Sequence, residues 1–348
     1  EMDTTRLHRR RREAWPVLGM TLLDAEVWGA PGSPASFSNT ALAACQSAAQ
    51  LGRCARRVAT YRLMTYEHLW PLVDRGTRLW WRMWGRQVDL PGPQGWLDAP
   101  ITGRGEVGDT WLEDAAAAVG GSLVEATHES GLIPDMSALD SETFSAGDVR
   151  PEVRDFYEHT SSWRMEVWTQ WSSAFQPGGE LISRWFGRRV QQLALPMRPL
   201  DVARGMDSRV VAVVGEDGRQ VLAAWLRTSR STGEYVYSGG YSTRMLPGSR
   251  QPSVHVAFPL ESGNVQVFLR PIARPDGSLV LASPAGPFGA EGAYVVVQES
   301  GRTYAARVPI HETFHLYVDD EGVLRTDHEL RLWRASAVRL HYKLERRS

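Results

Sequence analysis

The hydrophobic pattern of this chain changes its period near residue 195, and that change constrains the fold more than any other feature. Beyond it, apolar and polar residues alternate, as they do in half-buried antiparallel strands. The clearest segments are Val210-Ala212-Val214, Val254-Val256-Phe258, Val265-Val267-Leu269 and Phe314-Leu316-Val318. Turn signals separate them, at Glu216-Asp217-Gly218, Ser262-Gly263-Asn264, Pro275-Asp276-Gly277, Ser300-Gly301 and Asp319-Asp320-Glu321-Gly322. The pattern predicts an antiparallel meander of roughly nine to eleven strands.

A meander of this length is expected to curl, because an open sheet edge invites pairing with other chains. We therefore predict that residues 196–348 form a closed or strongly bent β-barrel. The predicted connectivity resembles that of lipocalin-like folds, although no sequence motif of that family is present. The fold class is α+β.

Upstream of residue 195 the apolar residues recur at helical intervals. The sequence predicts helices over about residues 35–84, 109–118, 148–175 and 180–193, with a Gly/Pro-rich loop at 90–108. In the third helix an apolar stripe is formed by Phe156, Trp163, Val167, Trp171 and Phe175. Ten of the 14 Trp lie between Trp70 and Trp185, so this part is Trp-rich. We predict two domains, a mainly helical region at 1–195 packed on the β-domain at 196–348.

The overall charge excludes one class of partner. With 39 Lys+Arg against 40 Asp+Glu and a formal charge of −1, the chain lacks the basic surface of nucleic-acid-binding proteins. The uncharged stretch 27–52 contains Pro, Ser and Gln and is too polar for a membrane span. Cys45 and Cys54 lie too far apart on one predicted helix to form a disulfide. These features predict a cytoplasmic protein with neither a nucleic-acid nor a membrane partner.

One motif points to a metal. His311-Glu312-Thr313-Phe314-His315 matches H-E-x-x-H, which binds zinc when both histidines lie on one helical face. The β-prone run 313–318 favours a strand instead, on which the two histidines would lie about 13 Å apart, too far for one zinc ion. A zinc-dependent hydrolase is therefore kept only as an alternative, and no metal ligand is predicted.

A second group of residues suits proton transfer. Asp155 and His159 are four residues apart on the predicted helix, where they can form a pair, and Tyr157 and Glu158 lie beside them. We predict Asp155, Glu158 and His159 as catalytic residues, with Tyr157 and His315 as further candidates. The alternative is an ordinary solvated helix flank.

Aromatic residues suggest what the protein binds. They concentrate at Trp163, Trp168, Trp171, Trp185, Trp225, Tyr235, Tyr237 and Tyr241. Such a set forms either a packed core or the wall of a cavity for an apolar ligand.

No P-loop, dinucleotide fingerprint or G-x-S-x-G is present, so no cofactor is predicted. The leading hypothesis is an enzyme, cyclase-like or isomerase-like, that acts on a lipophilic small molecule by acid–base chemistry. The alternative is a carrier for such a molecule, and the pattern predicts no oligomeric state.

Overall fold

A computed structural model describes residues 79–103, 107–125, 127, 130–173, 175 and 205–347. By internal packing the chain divides into two units, Glu1–Trp84 and Gly85–Ser348. Of the first unit, residues 79–84 are described, and they are helical. The helices predicted before residue 79 and at 180–193 lie outside the described residues, as does the predicted domain boundary at 195.

The second unit is mostly antiparallel β-sheet with a few short helices. Its strands are β1 (Arg86–Val88), β2 (Ser122–Glu125), β3 (Trp163–Trp171), β4 (Met206–Val214), β5 (Gln220–Ser229), β6 (Tyr235–Met245), β7 (Pro252–Leu260), β8 (Gly263–Ala273), β9 (Leu279–Ala282), β10 (Gly292–Glu299), β11 (Arg302–Val308), β12 (Ile310–Val318), β13 (Leu324–Leu332) and β14 (Ala335–Arg346). Its α-helices are α1 (Trp111–Ala118) and α2 (Pro151–Glu158). Single 3-10 turns lie at Gly95–Leu97, Met136–Leu139, Ala146–Asp148 and Thr160–Ser162.

The strands form one sheet, in the order β2-β4-β5-β6-β7-β8-β9-β12-β13-β14-β3. The four alternating segments found in the sequence lie in β4, β7, β8 and β12, and each predicted turn connects two strands. The β-rich character and the antiparallel pairing are therefore confirmed.

The sheet branches at β8, which the sequence pattern did not predict. The first half of this strand, Gly263–Phe268, pairs with β10, and the second half, Arg270–Ala273, pairs with β9. One branch continues from β10 to β11 and β1, and the other from β9 through β12, β13 and β14 to β3. The hairpin β10–β11 thus interrupts the meander.

The described strands do not close into a barrel. β3 comes close to β4, but no ladder of hydrogen bonds joins them. Within the described residues β3 pairs with β14 alone, and β2 with β4 alone. Because β3 and β4 lie near the two ends of the strand order and still contact each other, the sheet bends, but the predicted closed barrel is not confirmed.

The predicted long helix over 148–175 is wrong. Helix α2 begins at Pro151 and ends at Glu158, and after a 3-10 turn the chain continues as β3 from Trp163. The cause is the spacing of the apolar stripe: Trp163, Val167 and Trp171 are four residues apart. Four is close to one helical turn, but it is also twice the period of a strand, so the stripe fits one face of either element.

The sheet buries side chains on both faces. On its outer face, Trp111, Leu112 and Ala115 of α1 pack on Val211 of β4 and Leu226 of β5. The helix predicted at 109–118 is thus found, at Trp111–Ala118. On the inner face, the alternate residues of the same strands surround a cavity.

Candidate functional site

The cavity lies on the inner, concave face of the bent sheet, opposite the face on which α1 packs. Strands β3 to β9 and β12 to β14 all contribute to its wall, and α2 adds Phe156 and Tyr157. About 140 Å³ is open to the centres of water molecules. Most of the lining is aliphatic or aromatic, and its charged, imidazole and phenol groups belong to Tyr157, Arg227, Tyr237, Tyr241, Glu312, His328 and Tyr342.

Arg227 projects into the cavity from β5. The residue is 7% exposed. Its Nη2 donates to Sδ of Met206 at 3.6 Å, and its Nε has no hydrogen-bond partner. The guanidinium carbon lies 5.5 Å from the centre of the Trp225 ring. Burial lowers the pKa of Arg227, although arginine stays protonated in proteins at ordinary pH. The cavity wall therefore contains a buried positive charge.

Three tyrosines face this arginine. Tyr237 is the cross-strand neighbour of Arg227, and its hydroxyl is 2.9 Å from that of Tyr241. Burial raises the pKa of both phenols, and it raises the pKa of Tyr342 to about 12. All three are therefore protonated near neutral pH and can donate hydrogen bonds.

A β-bulge directs Tyr237 inward. The register between β5 and β6 shifts at Arg227/Thr228, so Tyr235 and Tyr237 point to opposite faces although they are two residues apart. The hydroxyl of Tyr235 donates to Asp109 on the outer side. A Cβ at Gly239 would lie 3.0 Å from the Phe258 ring and 3.2 Å from the Tyr237 hydroxyl, so glycine leaves the space that these rings need.

An acid and an imidazole meet on β12 and β13. Oε2 of Glu312 is 3.4 Å from Nε2 of His328, and the side chains are 17% and 10% exposed. The imidazole stacks on Phe314, with ring centres 3.8 Å apart. The Glu312–His328 approach is close enough for an ion pair but misaligned for a hydrogen bond, and neither ring nitrogen has a hydrogen-bond partner. The imidazole nitrogens are thus available to a ligand.

The predicted Asp155–His159 pair exists, but away from the cavity. Oδ1 of Asp155 is 3.0 Å from Nδ1 of His159. Its Oδ2 accepts a hydrogen bond from Nε1 of Trp163 and lies 3.3 Å from Arg346. Neither residue lines the cavity. These contacts join the end of α2 to β3 and β14.

The other predicted residues are divided between the cavity and the scaffold. Tyr157 lines the cavity, and burial raises its pKa. Oε1 of Glu158 accepts a hydrogen bond from the backbone N–H of Met136, which fixes the preceding segment to α2. His315 bonds through Nε2 to Oγ of Ser278, on the opposite face of β12 from the cavity. The structure therefore brings only Tyr157 of the five predicted residues to the cavity wall.

The H-E-x-x-H match lies on a strand, as the β-prone run indicated. All five residues belong to β12, and Glu312 faces the cavity while His311 and His315 point away. Nδ1 of His311 lies 3.1 Å from the carbonyl oxygen of Ser283. The helical face that the zinc motif needs is absent. Within the described residues no three His, Cys, Asp or Glu side chains are grouped to hold a metal ion.

Sequence reasoning missed most of the polar cavity groups. The sequence pattern placed Glu312 only in the zinc motif, and it did not single out Arg227 or Tyr342. A signal was present: Glu312 continues the alternation of Phe314-Leu316-Val318 backwards, and Arg227 lies two residues after Trp225. A charged residue at an inward position of an apolar alternation indicates a cavity group.

Fold and site together define a class, a bent antiparallel β-sheet protein with an apolar internal cavity that contains a few buried polar groups. Over 247 residues the chain is 28% identical to a Bacillus subtilis (strain 168) protein named "Uncharacterized membrane protein YndJ". The match covers 70% of this chain and 42% of that protein, so the chain spans less than half the length of this relative. No family model matches, and neither does any solved structure.

The comparison corrects one prediction. The relative is named a membrane protein, which contradicts the predicted cytoplasmic location. Among the residues that the structure describes, no helix is both long enough and apolar enough to cross a bilayer.

Proposed function

We propose that this chain binds a lipophilic small molecule in the cavity on the concave face of its sheet. The observation that carries the proposal is the lining, which is apolar except for a few buried polar groups. Ligand sites in proteins have this composition, because apolar walls supply affinity and a few polar groups set orientation. A lipophilic ligand also partitions into bilayers, which is compatible with the name of the relative.

Binding can be tested with a neutral probe, 4-phenylbutan-1-ol, and a variant that fills the cavity. Val267 lines the cavity and is buried, so Val267→Phe places a larger ring in the ligand space. Val221 is exposed on β5 and is not part of the wall, so Val221→Phe is the matched control. By isothermal titration calorimetry we expect saturable binding to the wild type, at least about tenfold weaker binding to Val267→Phe, and no change in the control.

The result depends on a folded variant, because an extra ring in a packed site strains its neighbours. Thermal unfolding of each variant therefore gives the folded fraction for which affinities are corrected. No binding of the probe to the wild type, or full affinity in Val267→Phe, would contradict the proposal.

A second candidate function is acid–base catalysis on the bound molecule. The approach of Glu312 to His328 favours it, because an imidazole with free nitrogens beside a carboxylate can accept and return a proton. Aromatic neighbours such as Phe314 exclude water, which strengthens the electrostatic interaction between the pair. The reaction class is proton transfer at carbon, as in an isomerase or cyclase.

The catalytic candidate can be tested with a simple carbon acid, 4-phenylbutan-2-one, dissolved in D₂O. We expect the protein to accelerate deuterium incorporation next to the carbonyl, and Glu312→Gln or His328→Gln to reduce that rate at least about tenfold. His341 pairs with Asp327 at 2.7 Å on the outer face, so His341→Gln is the matched control. Wild-type exchange no faster than in buffer, or exchange that survives both cavity substitutions, would count against catalysis by this pair.

A further inference from the structure

Among the residues that the structure describes, the buried arginine of the cavity has no negative partner. No carboxylate of the described residues forms an ion pair with Arg227, whose Nη2 donates to the Met206 sulfur at 3.6 Å. Its side chain is more than nine-tenths buried, and its Nε is unbonded. Burial of a charge is unfavourable unless a partner compensates it, and arginine cannot escape by losing its proton. The guanidinium therefore has unused capacity for an anion.

The neighbouring phenols add a donor at the same place. Tyr237 and Tyr241 share one hydrogen bond, and two hydroxyls have two protons. One proton is used between them, and the other remains for a ligand. Because Tyr237 is directly opposite Arg227 in the β5–β6 ladder, their side chains project into the cavity side by side.

The charge balance of the cavity favours a single negative charge on the ligand. Glu312 lines the same cavity and raises the pKa of Tyr237 and Tyr342, so its negative charge reaches this region. A group with two charges would be repelled more strongly by this carboxylate than a group with one. A carboxylate carries one charge and matches the planar fork of arginine.

We propose that the ligand of the cavity is a lipophilic carboxylate, bound through Arg227 and the free phenol proton of the Tyr237–Tyr241 pair. This inference rests on the proposed binding function and adds the chemical class of the ligand. The carboxylate binds at the β5–β6 wall, and the apolar remainder of the ligand fills the rest of the cavity.

The test compares two probes that differ in one group, 4-phenylbutyrate and 4-phenylbutan-1-ol. With calorimetry we expect the wild type to bind the carboxylate at least about tenfold more tightly than the alcohol. Arg227→Met keeps the aliphatic part of the side chain and removes its charge, so the preference, taken as the ratio of the two affinities, should fall to about twofold or less. Arg219 is exposed at the β4–β5 turn, and Arg219→Met is the control that should leave both affinities unchanged.

The outcomes separate the two proposals. If the alcohol binds but the carboxylate binds no better, or if Arg227→Met keeps the preference, the inference is wrong and the binding function stands. If neither probe binds the wild type, both are wrong. Should Arg227→Met fail to fold, Tyr237→Phe replaces it: we expect a weakened preference for the carboxylate over the alcohol, and an unchanged preference overturns the inference.

Discussion

His255 lies on β7 with its side chain on the face opposite the cavity, in a chain of hydrogen bonds. Its Nδ1 is 2.9 Å from Oγ of Ser242, and its Nε2 is 2.9 Å from Oε1 of Gln266. Nε2 of Gln266 donates to the carbonyl of Leu97 and to Oδ1 of Asn264. The network attaches the loop after β1 to the sheet. It differs from the cavity groups because both ring nitrogens of this histidine are bonded, whereas those of His328 are not.

Stability should depend on pH through His255. Burial, together with the nearby charge of Arg244, lowers the pKa of His255 from 6.5 to about 3. Between these values the unfolded chain takes up a proton that the folded protein does not, so stability falls as the pH falls from 6.5 towards 3 and is fully present above 6.5. The contribution is up to about 1.4 kcal/mol per pH unit. Urea unfolding at several pH values measures it.

The control separates His255 from other titrating groups. His255→Gln removes the titrating ring, so the variant should show a smaller loss of stability between pH 6.5 and 4.5 than the wild type. His341 is on the outer surface, and His341→Gln should keep most of the wild-type slope. An equal slope in all three proteins would show that His255 does not titrate as its burial requires.

For individual residues, the sequence predicted which side chains form a pair more readily than where in the fold that pair lies. The Asp155–His159 contact follows from a spacing of four on a helix, and it is present. Whether such a pair faces a cavity depends on which side of α2 packs inward, and eight residues of helix contain too little periodicity to decide that. The inward direction of the Tyr237 side chain depends on a β-bulge, and the alternation of apolar and polar residues does not reveal where a bulge lies.

Among the elements, β8 has the most unusual role, because its partner changes between Phe268 and Arg270. An ion pair lies at this position. Arg270 donates through Nε and Nη2 to the two carboxylate oxygens of Glu291, which immediately precedes β10. The side chain of Glu291 is 5% exposed, and that of Arg270 is 47% exposed. Burial acts to raise the pKa of Glu291, but the hydrogen bonds from Arg270 and the backbone outweigh it and hold the pKa below its usual value.

Breaking this pair from the arginine side should be costly. Arg270→Met leaves a buried carboxylate without its partner, and we expect a loss of about 2–3 kcal/mol in unfolding free energy, less than for a fully buried pair because Arg270 is half exposed. Arg230→Met is the control, since its pair with Asp207 is exposed on both sides and should contribute under about 1 kcal/mol. Chemical denaturation measures both.

A double variant tests the cause. Adding Glu291→Gln to Arg270→Met removes the buried charge and should recover part of the loss, which a double-mutant cycle quantifies. A loss in Arg270→Met no larger than in Arg230→Met would contradict the role given to the pair.

Element types were predicted well where one period dominates, and poorly where two periods coincide. Val254, Val256 and Phe258 alternate with a period of two that no helix matches, and β7 was identified. The stripe from Trp163 to Trp171 has a period of four, which a strand and a helix share, and β3 was mistaken for helix. The branch at β8 depends on pairing between distant segments, which local patterns do not encode.

For the molecule as a whole, the feature with the largest physical consequence is the gap between β3 and β4. β3 has a ladder with β14 on one edge and none on the other within the described residues. In an antiparallel strand, successive N–H groups point to opposite edges. About half of the amides of β3 therefore have no partner strand among the described residues.

Hydrogen exchange measures this directly. We expect alternate amides of β3 to exchange at least about tenfold faster than those of β13, which has partner strands on both edges. The amides of β3 that point to β14 provide the internal control. Uniform protection along β3 would mean that the sheet closes in solution.

The branch at β8 also makes part of the chain an insertion. β9 pairs directly with β12, so the segment 284–309 forms the separate β10–β11 branch of the sheet and then returns beside its starting point, where the N–H of Ser283 donates to the carbonyl of Glu312. No residue of that segment lines the cavity; Tyr294, Val296 and Ala305 pack instead with Trp96 and Phe268. The cavity and the β10–β11 hairpin are thus built from separate stretches of sequence. Changes in the length or sequence of this hairpin can alter one surface of the protein while every residue that lines the cavity stays the same.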